Sequence, residues 1–121
     1  MPRLTRFLAL TLLASCGAHS NPAAVTTGRD HDAAKALIAV NCLGCHQVPG
    51  VRGQIGWVGP SLAGIARQQI IAGKFVNNPG NMARWLMHPQ AMVPGSAMPE
   101  MGLSAAQART ISDYLYTLDK R

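Results

Sequence analysis

Aromatic side chains are scarce in this chain. Its 121 residues include two Phe, two Tyr and two Trp, or 5%, although 48% of the residues are hydrophobic. The length suits one domain with a core of its own, and aromatic rings normally supply much of such a core. The shortage favours a core that is filled in part by something other than side chains.

Acidic residues and clusters of basic residues are also few. Lys and Arg number 11 against 5 Asp and Glu, which gives a formal net charge of +6. Nucleic-acid binding needs a basic face or stripe, whereas Arg52, Arg67, Lys74 and Arg84 are spread along the chain. The composition therefore excludes nucleic acid as the partner.

The chain has no apolar run of membrane-spanning length. The run over residues 7–14 is far shorter than the ~20 residues that a transmembrane helix needs, and with Arg3 and Arg6 before it the run is typical of an export signal. Leu13-Ala14-Ser15-Cys16 follows and resembles the lipobox of bacterial lipoproteins, in which the cysteine becomes the lipidated first residue. The alternative is an ordinary secretory signal that is cut nearby, with Cys16 incidental.

These patterns divide the chain into three parts. Residues 1–15 are predicted to be a lipoprotein-type signal peptide, and residues 16–29, which are small, polar and without periodicity, a flexible tether. Removal of the signal takes away Arg3 and Arg6, so nine basic residues remain against five acidic ones and the net charge falls to +4. Residues 30–121 form the predicted domain.

Strand patterns and internal repeats are absent from residues 30–121. The spacing of Ala34, Leu37 and Ile38 predicts a first helix that begins near Asp30 or Asp32 and runs towards the cysteines. The residues between this helix and the next are rich in glycine and predict long loops.

Two more helices have clear start signals. Asn78-Pro79 is a cap followed by proline at the first helical position, and Pro89 ends that helix because proline restricts the residue before it. Ser104 and Gln107 form a capping box for the last helix, and Ser61 caps a short helical turn between the first two helices. The domain is therefore predicted to be all-α, with three main helices and loops long enough to need something to pack on.

The strongest signal is Cys42-Leu43-Gly44-Cys45-His46. Two thiols three residues apart on a helical turn lie on one side, where they can add to the two vinyl groups of a haem, and His46 is then held beside the iron. The alternatives are a dithiol redox pair and half of a zinc site. The first needs a βαβ setting and the second needs further ligands, and the sequence offers neither. One haem c, bound covalently through Cys42 and Cys45, is the predicted cofactor.

Most of the chain, residues 30–118, resembles a class I c-type cytochrome. Three segments match this family in order after the cysteine motif: Gly59-Pro60, Pro94-Gly95-Ser96-Ala97-Met98-Pro99 and Ile111-Ser112-Asp113-Tyr114-Leu115. Residues 81–86, with the prolines that follow, are also similar to the cytochrome c domains of some terminal-oxidase subunits. The resemblance implies a cytochrome c fold around one haem. One departure is that Ala34 and Ile38 stand where family members often have Gly and an aromatic residue.

The resemblance also implies that Met98 is the second axial ligand of the iron. A thioether is a soft, neutral donor that favours reduced iron and raises the reduction potential. Met92 and Met101 lie in the same loop and compete for this role, and His88 is a further alternative. Met98 differs from them because prolines on both sides stiffen its presentation.

Two more residues are predicted to serve the haem. By resemblance, the Pro60 carbonyl accepts a hydrogen bond from His46, which fixes the orientation of a ligating imidazole. Trp85 lies on the apolar face of its helix, so its ring packs either in the core or, as we predict, against the haem. Trp57 is a further possibility, on the propionate side.

With His46 and Met98 both on the iron, no coordination position is open to a substrate, so the predicted function is electron transfer and not enzyme catalysis. The alternative is a haem enzyme or gas-binding protein with a labile sixth ligand. The expected partners are redox proteins such as a membrane-bound oxidase or dehydrogenase, and the domain is expected to be monomeric. The expected location is membrane-anchored through the lipid on Cys16, with the haem domain in the periplasm or on the outer face of the cell membrane.

Overall fold

The structure, a computed structural model, describes residues 28–53 and 56–119. The predicted signal peptide, the Cys16 lipid site and residues 16–27 of the predicted tether lie outside these residues. Four helices and a two-stranded antiparallel hairpin make up the described chain, which confirms the all-α prediction in its main features. None of the helices in the described ranges combines the length and the apolar character needed to cross a membrane.

The first helix, α1, covers Gly28–Asn41 and ends directly before the first cysteine of the motif. The predicted apolar face is confirmed, because Ala34 is 1% and Ile38 0% exposed. The Asn41 side chain donates a hydrogen bond to the Leu37 carbonyl at 2.8 Å, in the last turn of the helix. The end of α1 thus places the cysteine motif at the edge of the core.

The segment between α1 and the next long helix contains two short elements. A 3₁₀ turn covers Ile65–Arg67 after Gly64, whose φ is +70°, so the helical turn lies further along the chain than the predicted start at Ser61. Strands β1 (Ile70–Ile71) and β2 (Phe75–Val76) then pair in an antiparallel hairpin. The sequence showed no strand pattern here because two residues are too few for an alternation to be visible.

Helix α2 covers Pro79–Met87 and begins as predicted. The Asn78 side chain accepts a hydrogen bond from the Asn81 amide at 2.8 Å, and Pro79 occupies the first turn. The glycines and prolines of residues 90–103 predict a loop, but its first residues instead belong to a short helix, α3, which covers Pro89–Met92. His88 between the two helices is not helical, with φ at −138° and ψ at 57°, so the proline ends one helix and starts the next, a position in which its fixed φ is favourable.

The last helix, α4, covers Ala105–Leu115, and its predicted capping box is confirmed. The Ser104 amide donates to the Gln107 side chain at 2.9 Å, and the Gln107 amide donates to the Ser104 hydroxyl at 3.2 Å. This helix packs against both α1 and α2. The apolar residues at helical spacing on this helix are buried in the core, namely Ile111, Tyr114, Leu115 and, just past the helix end, Leu118.

Tyr114 connects α4 to the loop that follows the cysteine motif. Its hydroxyl donates to the Pro49 carbonyl at 2.8 Å, and burial raises the pKa of this phenol. At Gly50, where φ is +76°, an added Cβ would lie 2.6 Å from the same hydroxyl. The ring also meets His31 edge-on, with ring centroids 5.7 Å apart. One aromatic side chain therefore fixes the loop beyond the cysteines against two helices.

Ser112→Ala is expected to increase the free energy of unfolding by about 1 kcal/mol. Ser112 is 1% exposed, and its hydroxyl has no hydrogen-bond partner among the residues that the structure describes. A buried hydroxyl without a partner costs roughly 1–3 kcal/mol, and alanine suits a helix better. The matched control is Ser104→Ala on the same helix, which loses a capping bond and should destabilise by about 1 kcal/mol. Denaturant unfolding of both variants measures the difference, and a destabilised Ser112→Ala would contradict the expectation.

Candidate haem site

The cysteine motif forms a hydrogen-bonded turn that continues directly from α1. The Cys42 carbonyl accepts from the Cys45 amide at 3.1 Å and from the His46 amide at 2.8 Å. Neither cysteine is in a disulfide. Because this turn has the spacing of a helix, both thiols and the His46 ring lie on the same cavity, as c-type haem attachment requires.

A second segment lies alongside this turn and is held to it by backbone hydrogen bonds. The Gly56 amide donates to the Leu43 carbonyl at 2.7 Å, and the Gly59 amide donates to the Cys45 carbonyl at 2.8 Å. An added Cβ at Gly56 would collide with the Gly44 carbonyl. The close approach of the two backbones therefore requires glycine at 56, and it brings Gly59-Pro60 to the His46 ring.

The His46 imidazole is oriented by the Pro60 carbonyl. Its Nδ1 lies 2.7 Å from that oxygen, and because a carbonyl can only accept, Nδ1 carries the hydrogen. The Nε2 lone pair is then free to bind a metal ion. The structure thus contains the hydrogen bond that the sequence resemblance implied for this pair.

The site itself is a cavity of about 320 Å³, within the range of about 300–1,000 Å³ typical of cofactor sites. Of the described residues that line it, none is Asp, Glu, Lys or Arg. The lining residues that the sequence predicted to serve the haem are Cys42, Cys45, His46, Pro60, Trp85 and Met98. Buried apolar side chains that also line it are Ile65, Ile71, Met82, Leu86 and Leu115.

The competing ligands are placed differently by the fold. Met101 lines the same cavity as Met98, so the two remain alternatives on position alone. Met92 and His88 line a separate surface depression instead. Trp57 is 82% exposed and is absent from the cavity lining.

The cavity does not favour the dithiol or zinc alternatives. Burial and, to a smaller extent, the neighbouring Cys45 thiol raise the pKa of the Cys42 thiol to about 11. Reactive cysteines of redox pairs instead have a lowered pKa. Within residues 28–53 and 56–119, no group of three or more His, Cys, Asp and Glu side chains is arranged to hold a metal ion.

Gly59→Ala is expected to displace the His46 imidazole and to lower the free energy of unfolding by about 1–3 kcal/mol. An added Cβ at Gly59 would lie 2.6 Å from His46 Nδ1, which already bonds Pro60, so the ring has to move. The changes would appear in the visible absorption spectrum and in denaturant unfolding. Gly80→Ala adds the same methyl group 3.4 Å from its nearest neighbour and should leave the spectrum unchanged. An unchanged spectrum in Gly59→Ala would show that the ring tolerates the methyl group.

The residues that line the cavity fit a covalently bound haem. Two thiols and an oriented imidazole lie at one wall, a methionine loop borders the same space, and the rest of the lining is largely apolar. The fold and the site together define a helical c-type haem protein.

Comparisons with known proteins agree with this assignment. The family model described as Cytochrome c matches residues 31–119, and the chain belongs to this family. It carries haem c bound through Cys42 and Cys45. The chain is also 34% identical over 59 residues to cytochrome c oxidase subunit 2 of Alkalihalophilus pseudofirmus, a match that covers 49% of this chain and 16% of that relative.

Proposed function

We propose that this protein is a one-electron carrier whose haem is ligated by His46 and Met98 and which works while tethered to a membrane. The observation that carries the proposal is that His46 and Met98 line the same cavity, with His46 Nε2 left free by the bond between Nδ1 and Pro60. Membership of the cytochrome c family supports haem-based electron transfer.

A haem with both axial positions filled exchanges single electrons and leaves no position for a substrate. The residues of the chain set the conditions for this exchange. His46 is fixed in one tautomer and orientation by Pro60, so little reorganisation is needed when the charge of the site changes. The Met98 thioether favours the reduced state. The described residues that line the cavity include no Asp, Glu, Lys or Arg, and such a lining also disfavours the additional positive charge of the oxidised state.

The alternative function, a haem enzyme or gas-binding protein, requires a Met98 that leaves the iron readily. The loop that carries Met98 is instead held by several hydrogen bonds: the Met98 amide donates to the Ser96 hydroxyl at 3.2 Å, and the Met98 carbonyl accepts from the Gln90 side chain at 2.7 Å. This fixation favours the carrier.

The similarity to an oxidase subunit supports a membrane-bound oxidase, or a dehydrogenase of the same respiratory chain, as the redox partner. Both a freely moving carrier and a fixed subunit of such a complex are compatible with this similarity. The lipobox-like sequence ending at Cys16 supports an exported, membrane-anchored protein with its haem domain in the periplasm or on the outer face of the cell membrane.

Carbon monoxide and peroxide distinguish the carrier from the enzyme. If both axial positions are filled, the ferrous protein should keep its absorption spectrum under carbon monoxide, and the protein should consume added peroxide no faster than its denatured form does. Rapid binding of carbon monoxide together with peroxide turnover would establish the alternative instead.

A further inference from the structure

The side chain of Gln90 bonds three groups of the methionine loop. Its Nε2 donates to the Ser96 carbonyl and to the Met98 carbonyl, both at 2.7 Å. Its Oε1 accepts from the Gly95 amide at 3.2 Å. Both donor hydrogens and the acceptor of this half-buried amide are therefore used, and all three partners lie within four residues of one another.

The loop has a shape that presents these groups to a single side chain. The Ser96 amide donates to the Val93 carbonyl at 3.0 Å, and Gly95 between them has a φ of +80°. With Pro94 at the preceding position, this is the arrangement of a type II turn. The turn accounts for the path of the chain as far as Ser96. Among residues 28–53 and 56–119, no backbone amide donates to the Met98 carbonyl, and the Gln90 side chain supplies its partner.

The base of Gln90 is itself fixed. It follows Pro89, whose side chain is fully buried, in the short helix α3. Its own amide donates to the Glu100 carboxylate at 3.1 Å, which ties the chain beyond Met98 back to α3. A rigid support and three hydrogen bonds from one side chain leave the loop little freedom between Gly95 and Glu100.

We propose that Gln90 is the residue that positions the Met98 thioether in the cavity, an inference that rests on the proposed ligation by Met98. Gln90 does not line the cavity and acts only through the loop backbone. Without it, the loop keeps its turn but loses the bonds nearest to Met98, and the sulfur leaves the iron more often.

The test is the rate at which added imidazole binds to the ferric protein, measured in stopped flow. This rate follows how often Met98 leaves the iron, and the covalently attached haem allows every variant to be purified. Gln90→Ala loses the bonds to the Ser96 and Met98 carbonyls and to the Gly95 amide. It should therefore bind imidazole about tenfold faster than wild type, which corresponds to about 1.4 kcal/mol. Gln90→Met, which keeps the volume and loses the bonds, should do the same. Both variants should also weaken the charge-transfer absorption of the sulfur–ferric iron bond.

The matched control is Gln107→Ala. Gln107 also bonds a backbone group through its side chain, at the start of α4, so its loss reduces stability without touching the methionine loop. Its imidazole rate should equal that of wild type. If both Gln90 variants also match wild type while Met98→Ala binds imidazole fast, Gln90 has no positioning role. If Met98→Ala itself does not bind imidazole faster than wild type, the assignment of Met98 as the ligand fails, and the role of Gln90 fails with it.

Discussion

Met98→Ala is expected to lower the reduction potential by roughly 0.1–0.3 V and to open the iron to added ligands. The choice of axial ligand changes haem potentials over a range of about 0.8 V, and loss of a soft thioether removes a donor that stabilises the reduced state. Met98 lines the same cavity as His46, so its replacement would leave the iron with only one of the two residues proposed to hold it. A potentiometric titration and the absorption spectrum under carbon monoxide measure the two effects.

The other methionines near this loop supply the controls. Met92 lies outside the cavity, in a separate surface depression, so Met92→Ala should shift the potential little. Met101 lines the cavity but is expected to pack there without binding the iron, so Met101→Ala should leave the iron closed to carbon monoxide. A large fall in potential in Met101→Ala, with none in Met98→Ala, would make Met101 the ligand.

Loss of the lipid at Cys16 is expected to reduce electron delivery to native membranes at least tenfold when the protein is dilute. Helix α1 begins at Gly28, so the predicted tether is shortened to residues 16–27. As a flexible coil these residues would have an end-to-end distance of ~20 Å, which would keep an anchored domain in a thin layer above the membrane. Linkage of this kind gives effective concentrations near the millimolar range. Weak docking of a domain with a modest net charge is then sufficient for fast transfer.

The comparison uses Cys16→Ser, exported behind an ordinary secretory signal so that it acquires its haem. Mass spectrometry should find acyl chains on Cys16 of the wild type and none on the variant. The variant should regain the wild-type rate of electron delivery when it is added at high concentration. Equal rates at equal low concentration would show that the tether is irrelevant to delivery, and a wild type without an acylated Cys16 would contradict the anchor itself.

The parts of the fold that depend on neighbouring residues were visible in the sequence. The Asn78 cap and the Ser104–Gln107 capping box involve groups at most three residues apart, so their residue types alone indicate where α2 and α4 begin. The buried face of α1 was visible in the same way, since Ala34 and Ile38 are one helical turn apart.

The parts that depend on distant residues were not visible. Helix α3 after Pro89 was missed because a proline that ends one helix is equally suited to start another. The exposure of Trp57, and its absence from the cavity lining, depends on the path of a glycine-rich loop whose sequence carries no periodicity. The contact between His31 and the Tyr114 ring of α4 joins residues 83 positions apart, so no local pattern indicates it.

The residues of the haem site also divide into those that the sequence indicates and those that only the structure reveals. The attachment residues Cys42, Cys45 and His46 are contiguous enough to be identified from the sequence, and the resemblance to c-type cytochromes pointed to Pro60 and Met98. Gln90 was missed because nothing in its type or its immediate neighbours marks a role. The role of Gln90 depends on a turn that brings the Gly95 amide and the Ser96 and Met98 carbonyls to its side chain. The sequence signal that could have indicated this turn is Pro94-Gly95, a pair typical of type II turns.

The central claim, that the protein passes single electrons to a membrane-bound partner, is tested most directly by reoxidation of the reduced protein. Wild type, reduced and freed of reductant, is mixed with native membranes, and the visible spectrum is followed with and without an inhibitor of the terminal oxidase. We predict fast reoxidation that the inhibitor abolishes, with one electron per haem transferred to the membranes. Reduced protein that the membranes do not reoxidise, but that peroxide or oxygen reoxidises rapidly and repeatedly without them, would contradict the account.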